Sequence, residues 1–391
     1  MNGSPPSLLA LFGRFLRFGL LAWGGPVAQI AMLKRELVEE QRWLRPDRFN
    51  RLLAVYQVLP GPEAHELCVH LGMMQRGRIG GLLAGLGFML PGLLLMLILS
   101  WAYASLDLKA EPWPALLLGL QIAVLALIAR AVHRIGDHAL ADGWLWGAAL
   151  LAAAASLAGL PFWVVLPVCG LAYLALRKDS LVLATGTVLA GAVAAVLLDG
   201  TSAANISGQV AAQSASLAAL FGTGLKAGLL TFGGAYTAIP FVRDDAVGRG
   251  WVTDGQFLNG LALSGIIPAP LIIFATFVGY QAGGIAGALA ITAGVFLPAF
   301  GMTLLFYDRL EQAVHEPRLH DLLTGVAAGV VGLVAATFLE LGGAMLSTTQ
   351  APMNALLLFG GCLALLYAWP SKWNVLILLP AGAVAGWTLL G

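Results

Sequence analysis

Charged residues are scarce in this chain. Asp, Glu, Lys and Arg make up 10% of its 391 residues, whereas hydrophobic residues make up 59%, and the mean hydropathy is +0.86. This balance excludes an ordinary soluble domain and predicts a polytopic membrane protein whose surroundings are the lipid bilayer. The formal net charge is only +1. Because nucleic-acid binding needs a dense basic face, no nucleic-acid partner is expected.

Cysteines and cofactor motifs are few or missing. Cys68, Cys169 and Cys362 stand alone in apolar stretches, so the sequence has no disulfide framework or zinc-ligand spacing. It also has no P-loop, dinucleotide fingerprint or Ser/His/Asp set. His65 and His70 are five residues apart, which separates them by about 140° around a helix. The sequence therefore predicts no metal, no cofactor and no enzymatic activity.

Glycine and proline interrupt the apolar segments at four places that form two matched pairs. Corresponding residues in the two halves lie 208 or 209 positions apart. A broken backbone survives in a bilayer only where protein or water surrounds it, and matched breaks indicate a transporter's binding site. The breaks are Gly24-Gly25-Pro26 and Pro60-Gly61-Pro62 in the first half, and Gly233-Gly234 and Pro268-Ala269-Pro270 in the second.

The internal repeat extends beyond the breaks, since Trp43 matches Trp251 at the same offset. We therefore expect an N-terminal transporter repeat over residues 1–198, a polar linker over 199–214 and a C-terminal repeat over 215–391.

The basic residues predict the topology. The stretch 34–51 and the short loop 75–78 are both rich in Lys and Arg, so the positive-inside rule places both in the cytoplasm. The segment 52–74 then enters and leaves the membrane on one side, as a re-entrant hairpin of two half-helices, and 8–33 does likewise. Each arm of about 13–16 residues extends about 20–24 Å, which passes the midplane without spanning. The alternative is that every apolar segment spans, which would put 34–51 outside.

Spanning helices are expected after these hairpins. The first half has five of them, so the second half begins outside and is inverted. The N-terminus then lies in the cytoplasm, and the membrane is the inner membrane of a bacterial cell. The predicted fold is an all-α polytopic membrane protein with two inverted-topology repeats, each with two re-entrant helical hairpins and transmembrane helices. The spans are expected at about 79–104, 115–135, 143–160, 161–177, 181–198, 285–306, 321–342, 354–369 and 374–390.

The hairpin tips are suited to an anion. Pro26 and Pro62 fit the first turn of a helix whose N-terminus points into the membrane. Gly25 and Gly61 let the backbone turn tightly and approach a ligand closely. The free N–H groups and the positive end of the helix dipole then bind an anion without a charged side chain. We expect tips from both repeats, related by a pseudo-two-fold axis, to surround a small tetrahedral oxyanion.

A basic residue precedes the first break of each repeat. Arg17 lies seven residues before Gly24, and Lys226 lies seven before Gly233. A cation in an apolar arm costs about 2.5–3.5 kcal/mol at the membrane centre and is functional by default, so both are candidates for attracting the anion. The alternative is snorkelling to an interface, which is also our interpretation of Arg130.

A few titratable residues are candidates for coupling transport to proton movement. Glu36 aligns with Asp245 across the repeats, and the alternative for each is pairing with a nearby Arg or Lys. Glu63, His65 and Glu66 follow the second break, and their alternative role is polar packing within the hairpin arm.

The motifs together resemble those of a known family. They are Gly24-Gly25-Pro26, Arg42-Trp43-Leu44 and Gln57-Val58-Leu59-Pro60-Gly61-Pro62 in the first half, and Phe232-Gly233-Gly234, Gly250-Trp251-Val252-Thr253 and Ala275-Thr276-Phe277-Val278-Gly279-Tyr280 in the second. Over nearly its whole length the chain resembles the chromate ion transporter family. The resemblance implies export of chromate across the bacterial inner membrane, driven by the electrochemical gradient, with sulfate as the related anion. It adds Gln57 to the candidate binding residues. Ala269 departs from the family's glycine and restricts the turn.

The sequence thus predicts secondary active transport of chromate, as an efflux that gives chromate resistance. A carrier or channel for sulfate or another oxyanion has the same architecture and stays an alternative. An intramembrane enzyme is less favoured, because its best candidates, His65, Glu66 and His70, do not share a helix face. A homodimer is compatible with the sequence.

Overall fold

The computed structural model describes residues 6–58, 61–108, 110–202, 215–232, 234–314, 317–369, 371 and 373–391. Within these ranges all regular structure is helical, with fifteen α-helices and short π and 3-10 turns. The all-α prediction is confirmed. Two predicted site residues, Pro60 and Gly233, lie outside the described residues, as does the 203–214 part of the expected linker.

The helices occur in the same order in both repeats, with one extra helix between them. The first repeat has α1 (Leu8–Leu20), α2 (Gly25–Leu33, continued by a π-helical segment at Lys34–Glu40), α3 (Pro46–Val58), α4 (Glu63–Ser105), α5 (Trp113–Ala139), α6 (Gly143–Leu157) and α7 (Phe162–Leu176). The extra helix is α8 (Leu181–Ser202). The second repeat has α9 (Leu217–Leu229), α10 (Ile239–Gly248, preceded by a 3-10 turn at Ala235–Ala238), α11 (Asp254–Gly265), α12 (Phe274–Val314, preceded by a 3-10 turn at Leu271–Ile273), α13 (Pro317–Thr348), α14 (Pro352–Ala368) and α15 (Asn374–Leu390).

The first helix of each repeat begins with the same N-cap. The Ser7 hydroxyl accepts a hydrogen bond from the backbone N–H of Ala10 at 3.2 Å, and the Ser216 hydroxyl accepts one from Ala219 at 3.1 Å. A serine at this position satisfies an N–H group that the helix itself cannot pair. The two capping serines are 209 residues apart, so the internal repeat includes the N-cap of the first helix.

The longest helix of each repeat is folded back on itself. The backbone of α4 leaves helical geometry at Arg76 and Gly77, and that of α12 does so at Gly283 and Gly284. Gly77 has φ 60° and ψ −158°, and Gly284 has φ 61° and ψ −153°, so the same turn recurs. This backbone conformation disfavours any residue with a Cβ.

Glycines also line the inside of each fold-back. A methyl group added at Gly72 would lie 2.5 Å from the carbonyl oxygen of Gly80, and one added at Gly279 would lie 2.5 Å from that of Gly287. Residues eight apart in a straight helix are about 12 Å apart. The arms before and after each turn are therefore antiparallel, in agreement with the predicted end of the second hairpin and start of the first spanning helix.

Four segments are long and apolar enough to cross a membrane. They are Glu63–Ser105, Trp113–Ala139, Leu271–Phe306 and Leu319–Thr348. Bulky apolar side chains such as Trp101, Leu150 and Val182 are exposed on the outer surface, as expected against lipid. The chain is a polytopic membrane protein. The helices α6, α7, α14 and α15 have only 15 to 17 residues, short of the about 20 that a perpendicular crossing needs.

The two repeats are interleaved. Helix α5 packs against α14 and α15 of the second repeat, and α13 packs against α6 and α7 of the first. The close approach of these helices to one another depends on glycine residues. A methyl group at Gly119 of α5 would lie 2.6 Å from the Cα of Gly386, and one at Gly325 of α13 would lie 2.9 Å from the Cα of Gly170. Small residues let membrane helices pack backbone to backbone, and the reciprocal exchange is the arrangement expected of a pseudo-two-fold relation.

Candidate functional site

The first two arms of each repeat form a helical hairpin. The Arg17 side chain on α1 makes an ion pair with Glu36 beyond α2. In the second repeat the Lys226 Nζ on α9 lies 2.8 Å from the Asp245 carboxylate on α10. These contacts join residues on either side of each break, so the arms run antiparallel. Each of the two aligned carboxylates thus pairs with a cation, as in the alternative given for them above, and their coupling role stays a prediction.

These ion pairs bear on the predicted role of the two cations. The side chains of Glu36 and Asp245 are only 15% and 13% exposed, so each carboxylate is held close to its partner. Asp245 also accepts a hydrogen bond from the Thr223 hydroxyl at 2.8 Å. Arg17 and Lys226 thus link the two arms of their hairpins, and neither lines the cavity described below.

The next two arms of each repeat form a second hairpin. In the first repeat the Tyr56 hydroxyl on α3 lies 3.1 Å from Nδ1 of His70 on α4. In the second repeat the ring of Phe257 on α11 packs edge-on against Phe274 of α12, with the centroids 5.5 Å apart. The structure therefore has the four predicted hairpins. Their re-entry into a membrane from one side stays a prediction.

The tips of the hairpins meet across the two repeats. The backbone N–H of Gly61 donates to the carbonyl oxygen of Thr231 at 2.8 Å. At the other crossing the Gln29 side-chain amide donates to the carbonyl oxygens of Ala22 at 2.9 Å and Ala269 at 3.1 Å. Ala22 corresponds to Thr231, and Ala269 corresponds to Gly61. The repeats are therefore joined twice at equivalent places, once directly and once through Gln29.

The turns at the tips are not all alike. Gly24, Gly25, Gly61 and Gly234 all have positive φ, as glycine permits. Ala269 does not, and its segment continues into the 3-10 turn at Leu271–Ile273. The alanine in this break is compatible with the turn that the chain adopts, so the expected restriction does not disturb the tip. Pro26 occupies the first turn of α2, whereas Pro62 is the N-cap residue of α4.

A cavity of about 170 Å³ lies between tips of both repeats. The predicted site residues that line it are Gly24, Gly25, Pro26 and Ala269. Polar side chains of the wall include Tyr236, Ser264, Ser371 and Asn374. The other predicted binding residues that the structure describes do not line this cavity: Arg17, Gln57, Gly61, Pro62, Lys226, Gly234, Pro268 and Pro270. Gln57 is exposed on α3.

Two arginines of α5 complete the wall of the cavity. Arg130 is half-buried and Arg134 is exposed, so the cavity extends from the tips to the surface. The two side chains are one helical turn apart and therefore share a face. Within the described parts of the chain neither has a carboxylate at ion-pair distance, unlike Arg17, Lys226 and Arg243. Their charge is thus available to a ligand in the cavity.

Sequence reasoning missed these residues. Arg130 was expected to snorkel, and Arg134 was attributed no role. Their spacing could have indicated a shared role, because two arginines four residues apart at the end of an apolar helix lie on the same helix face.

The corresponding region of the second repeat contains a network of ion pairs. Arg243 Nε on α10 lies 2.8 Å from the Asp254 carboxylate on α11, and Arg243 also pairs with Glu340 on α13. Glu340 corresponds to Arg134 in the alignment that matches Gly119 with Gly325. At the position where the first repeat has Arg134, which has no carboxylate partner among the described residues, the second repeat therefore has a carboxylate in an ion-pair network.

A buried acidic cluster lies behind the Gly61 tip. Glu66 is fully buried and Glu63 is 7% exposed. Both carboxylate oxygens of Glu66 are without a hydrogen-bond partner among the described residues. His65 packs between the rings of Phe296 and Phe300, with centroids 4.9 and 4.7 Å away. No group of three or more His, Cys, Asp or Glu residues suited to a metal ion occurs in the described ranges.

An apolar helical bundle with broken helices that meet tip to tip around a cationic cavity is the architecture of a membrane transporter. The chain belongs to the chromate transporter family. The family model "Chromate transporter" matches residues 9–175 and 218–387, once in each repeat. This confirms the resemblance inferred from the motifs, and the family supports a transport role.

Relatives extend over most of the chain. The chromate transport protein of Pseudomonas aeruginosa is 58% identical over 98% of this chain and 92% of its own length. A probable chromate transport protein of Synechococcus elongatus is 30% identical, over 86% of this chain and 85% of its own. The chromate transport protein of Cupriavidus metallidurans is 29% identical, over 82% of this chain and 79% of its own. No solved structure matches the chain.

Proposed function

We propose that this protein carries chromate out of the bacterial cytoplasm by secondary active transport. The observation that carries the proposal is one cavity lined both by the glycine–proline break of the first hairpin and by two arginines that have no carboxylate at ion-pair distance among the described residues. Chromate is a small tetrahedral dianion, and two positive charges match its charge. The names and similarity of the relatives support the same substrate.

The N-terminus of α2 supplies the second part of the site. Its first residues are Gly25 and Pro26, and a Cβ built on Gly25 meets no atom within 4 Å. The backbone at this point therefore borders open space. Unpaired N–H groups and the positive end of the helix dipole favour an oxyanion there. Arg130 and Arg134 line the same cavity and then also bind the oxyanion, since planar guanidinium groups suit bidentate hydrogen bonds to its oxygens.

The proposed orientation follows from the basic residues. With the stretch 34–51 in the cytoplasm of a bacterial cell, the chain lies in the inner membrane and the re-entrant hairpins of the first repeat enter from inside. The C-terminal end of α5, which bears Arg134, then faces the cytoplasm, and the cavity is open to that side. The ion-pair network of Arg243 lies on the outer side. The structure then represents an inward-open state, and export requires that the inner cavity close and the outer network open.

A flux measurement tests the proposal. The purified protein is reconstituted in liposomes, and the movement of labelled chromate and sulfate is followed with and without an imposed electrochemical gradient. Saturable chromate flux that responds to the gradient is expected. Preferential sulfate flux would favour the sulfate carrier, whereas unsaturable flux insensitive to coupling ions would favour a channel. Absence of anion flux, in a preparation that melts cooperatively, would contradict the proposed function.

A further inference from the structure

The buried cluster behind the Gly61 tip has no role in the oxyanion site described above. Glu66 lies on the first turn of α4 and is completely buried, and neither of its carboxylate oxygens has a hydrogen-bond partner among the described residues. A methyl group added at Gly61 would lie 2.7 Å from the Glu66 Oε1, so the carboxyl group is in close contact with the tip of the hairpin. An ionised carboxylate at such a place is costly unless a cation or several hydrogen bonds compensate it.

The surroundings of Glu66 supply no such compensation. On its own arm the titratable neighbours are Glu63, His65, Cys68 and His70, and Glu63 acts on Glu66 as a like charge. The facing α3 arm contributes Tyr56, which is engaged with His70, and Arg48, whose charge acts on His70. The rings of Phe88 on the second arm of α4 and of Phe296 and Phe300 on α12 pack against His65, the residue before Glu66, and bring no charge. Because Glu66 is fully buried and its carboxylate oxygens have no hydrogen-bond partner among the described residues, a proton is the cation that suits it.

Because of its position, the protonation state of Glu66 affects the contact between the two repeats. The Gly61 N–H donates to the Thr231 carbonyl, and this bond is one of the two joints between the hairpin tips. The Glu66 carboxyl group lies against Gly61, so an ionised Glu66 would be a second, stronger acceptor for the N–H groups of this tip, since hydrogen bonds to charged acceptors are about twice as strong as neutral ones. A protonated Glu66 leaves the joint with Thr231 intact. The equivalent position in the second repeat is Phe274, so the joint through Gln29 has no carboxyl group at that position.

From this geometry we propose that Glu66 is a proton-binding site that couples proton movement to the rearrangement of the tips. Proton loss from Glu66 weakens the Gly61–Thr231 joint, and proton binding restores it. The proposal rests on the proposed oxyanion transport and names its coupling ion. No covalent bond other than the O–H bond of the carboxyl group forms or breaks.

The test uses the full chain in liposomes that contain a pH-sensitive dye, with labelled chromate as the second readout. The variants are Glu66→Gln, which keeps the shape of the protonated side chain, and Glu39→Gln, a matched control at an exposed glutamate. In the wild type and the control, chromate flux should move protons and respond to a pH gradient. In Glu66→Gln, chromate exchange down its own gradient should persist, while proton movement and the response to the pH gradient are lost.

Proton movement that persists with chromate in Glu66→Gln would overturn the assignment. If Glu66→Gln transports no chromate, the pH profile of Glu66→Asp decides: a profile displaced from that of the wild type supports the site, and an unchanged profile refutes it. A wild-type protein that moves chromate without protons refutes this inference alone. A wild-type protein that moves no oxyanion contradicts the proposed function instead.

Discussion

Neutralising the two cavity arginines should raise the chromate KM by unequal factors. A hydrogen bond to a charged group contributes about 1.5–3 kcal/mol, which corresponds to about 10- to 150-fold in a binding constant. Arg130 is half-buried, so its replacement by glutamine should fall in this range. Arg134 is exposed, and solvent screening should limit its contribution to about 1 kcal/mol, or about 5-fold. Arg130→Lys should lie between wild type and Arg130→Gln, because lysine keeps the charge but not the bidentate geometry.

The assay is the initial rate of labelled chromate flux in liposomes over a range of chromate concentrations. Arg78→Gln is a matched control, since Arg78 is exposed and does not line the cavity. Its KM should stay at the wild-type value. The double variant of Arg130 and Arg134 should show less than the product of the single effects, because both residues act on one ligand. A wild-type KM in that double variant would refute the placement of the oxyanion in this cavity.

Three further outcomes are expected. Gln29→Leu removes the donor of two backbone carbonyl groups and should lower the free energy of unfolding by about 2–3 kcal/mol. The measurement is the melting temperature in detergent, which should fall. An unchanged melting temperature would show that the Gln29 joint is dispensable. Lys226→Met and Asp245→Asn should each destabilise more than the two together, because a single change removes the closest partner of a charge and leaves only the longer contact to Arg249 or to Asp244. If the double variant transports chromate no faster than Lys226→Met does, the loss comes from the missing cation itself, and this outcome would support anion attraction by Lys226. Glu340→Gln should increase labelling, from outside, of a cysteine placed near Arg243 on α10, and equal labelling would count against a closing role for that network.

The sequence was sufficient for features that depend on local chemistry. Gly77 and Gly284 interrupt apolar helices where the positive-inside rule and the repeat required a turn, and the structure turns there. The alignment of the two halves matched Glu36 with Asp245 and left pairing with a nearby Arg or Lys as an alternative, but it did not name Lys226 as the partner of Asp245.

The remaining features depend on contacts between distant segments. Gln29 bridges Ala22 and Ala269, which is 240 residues away along the chain, and no periodicity within one helix indicates such a bond. Arg130 belongs to the cavity because α5 packs beside α11 and α15 of the other repeat. An apolar helix with an arginine near its end is compatible with either lipid exposure or a cavity, so only the tertiary structure distinguishes the two.

The mutual exchange of helix pairs between the repeats has a consequence for biogenesis. When ribosomes have delivered only the first half to the lipid, the face of α5 that later contacts Gly382 and Gly386 has no protein against it. The helices α6 and α7 likewise lack their packing partner α13, which is synthesised much later. Neither half can reach its mature packing alone, so the final compaction of this molecule is a late event that follows translation of α15. Two separately synthesised halves should reconstitute the bundle only when both are made in the same cell.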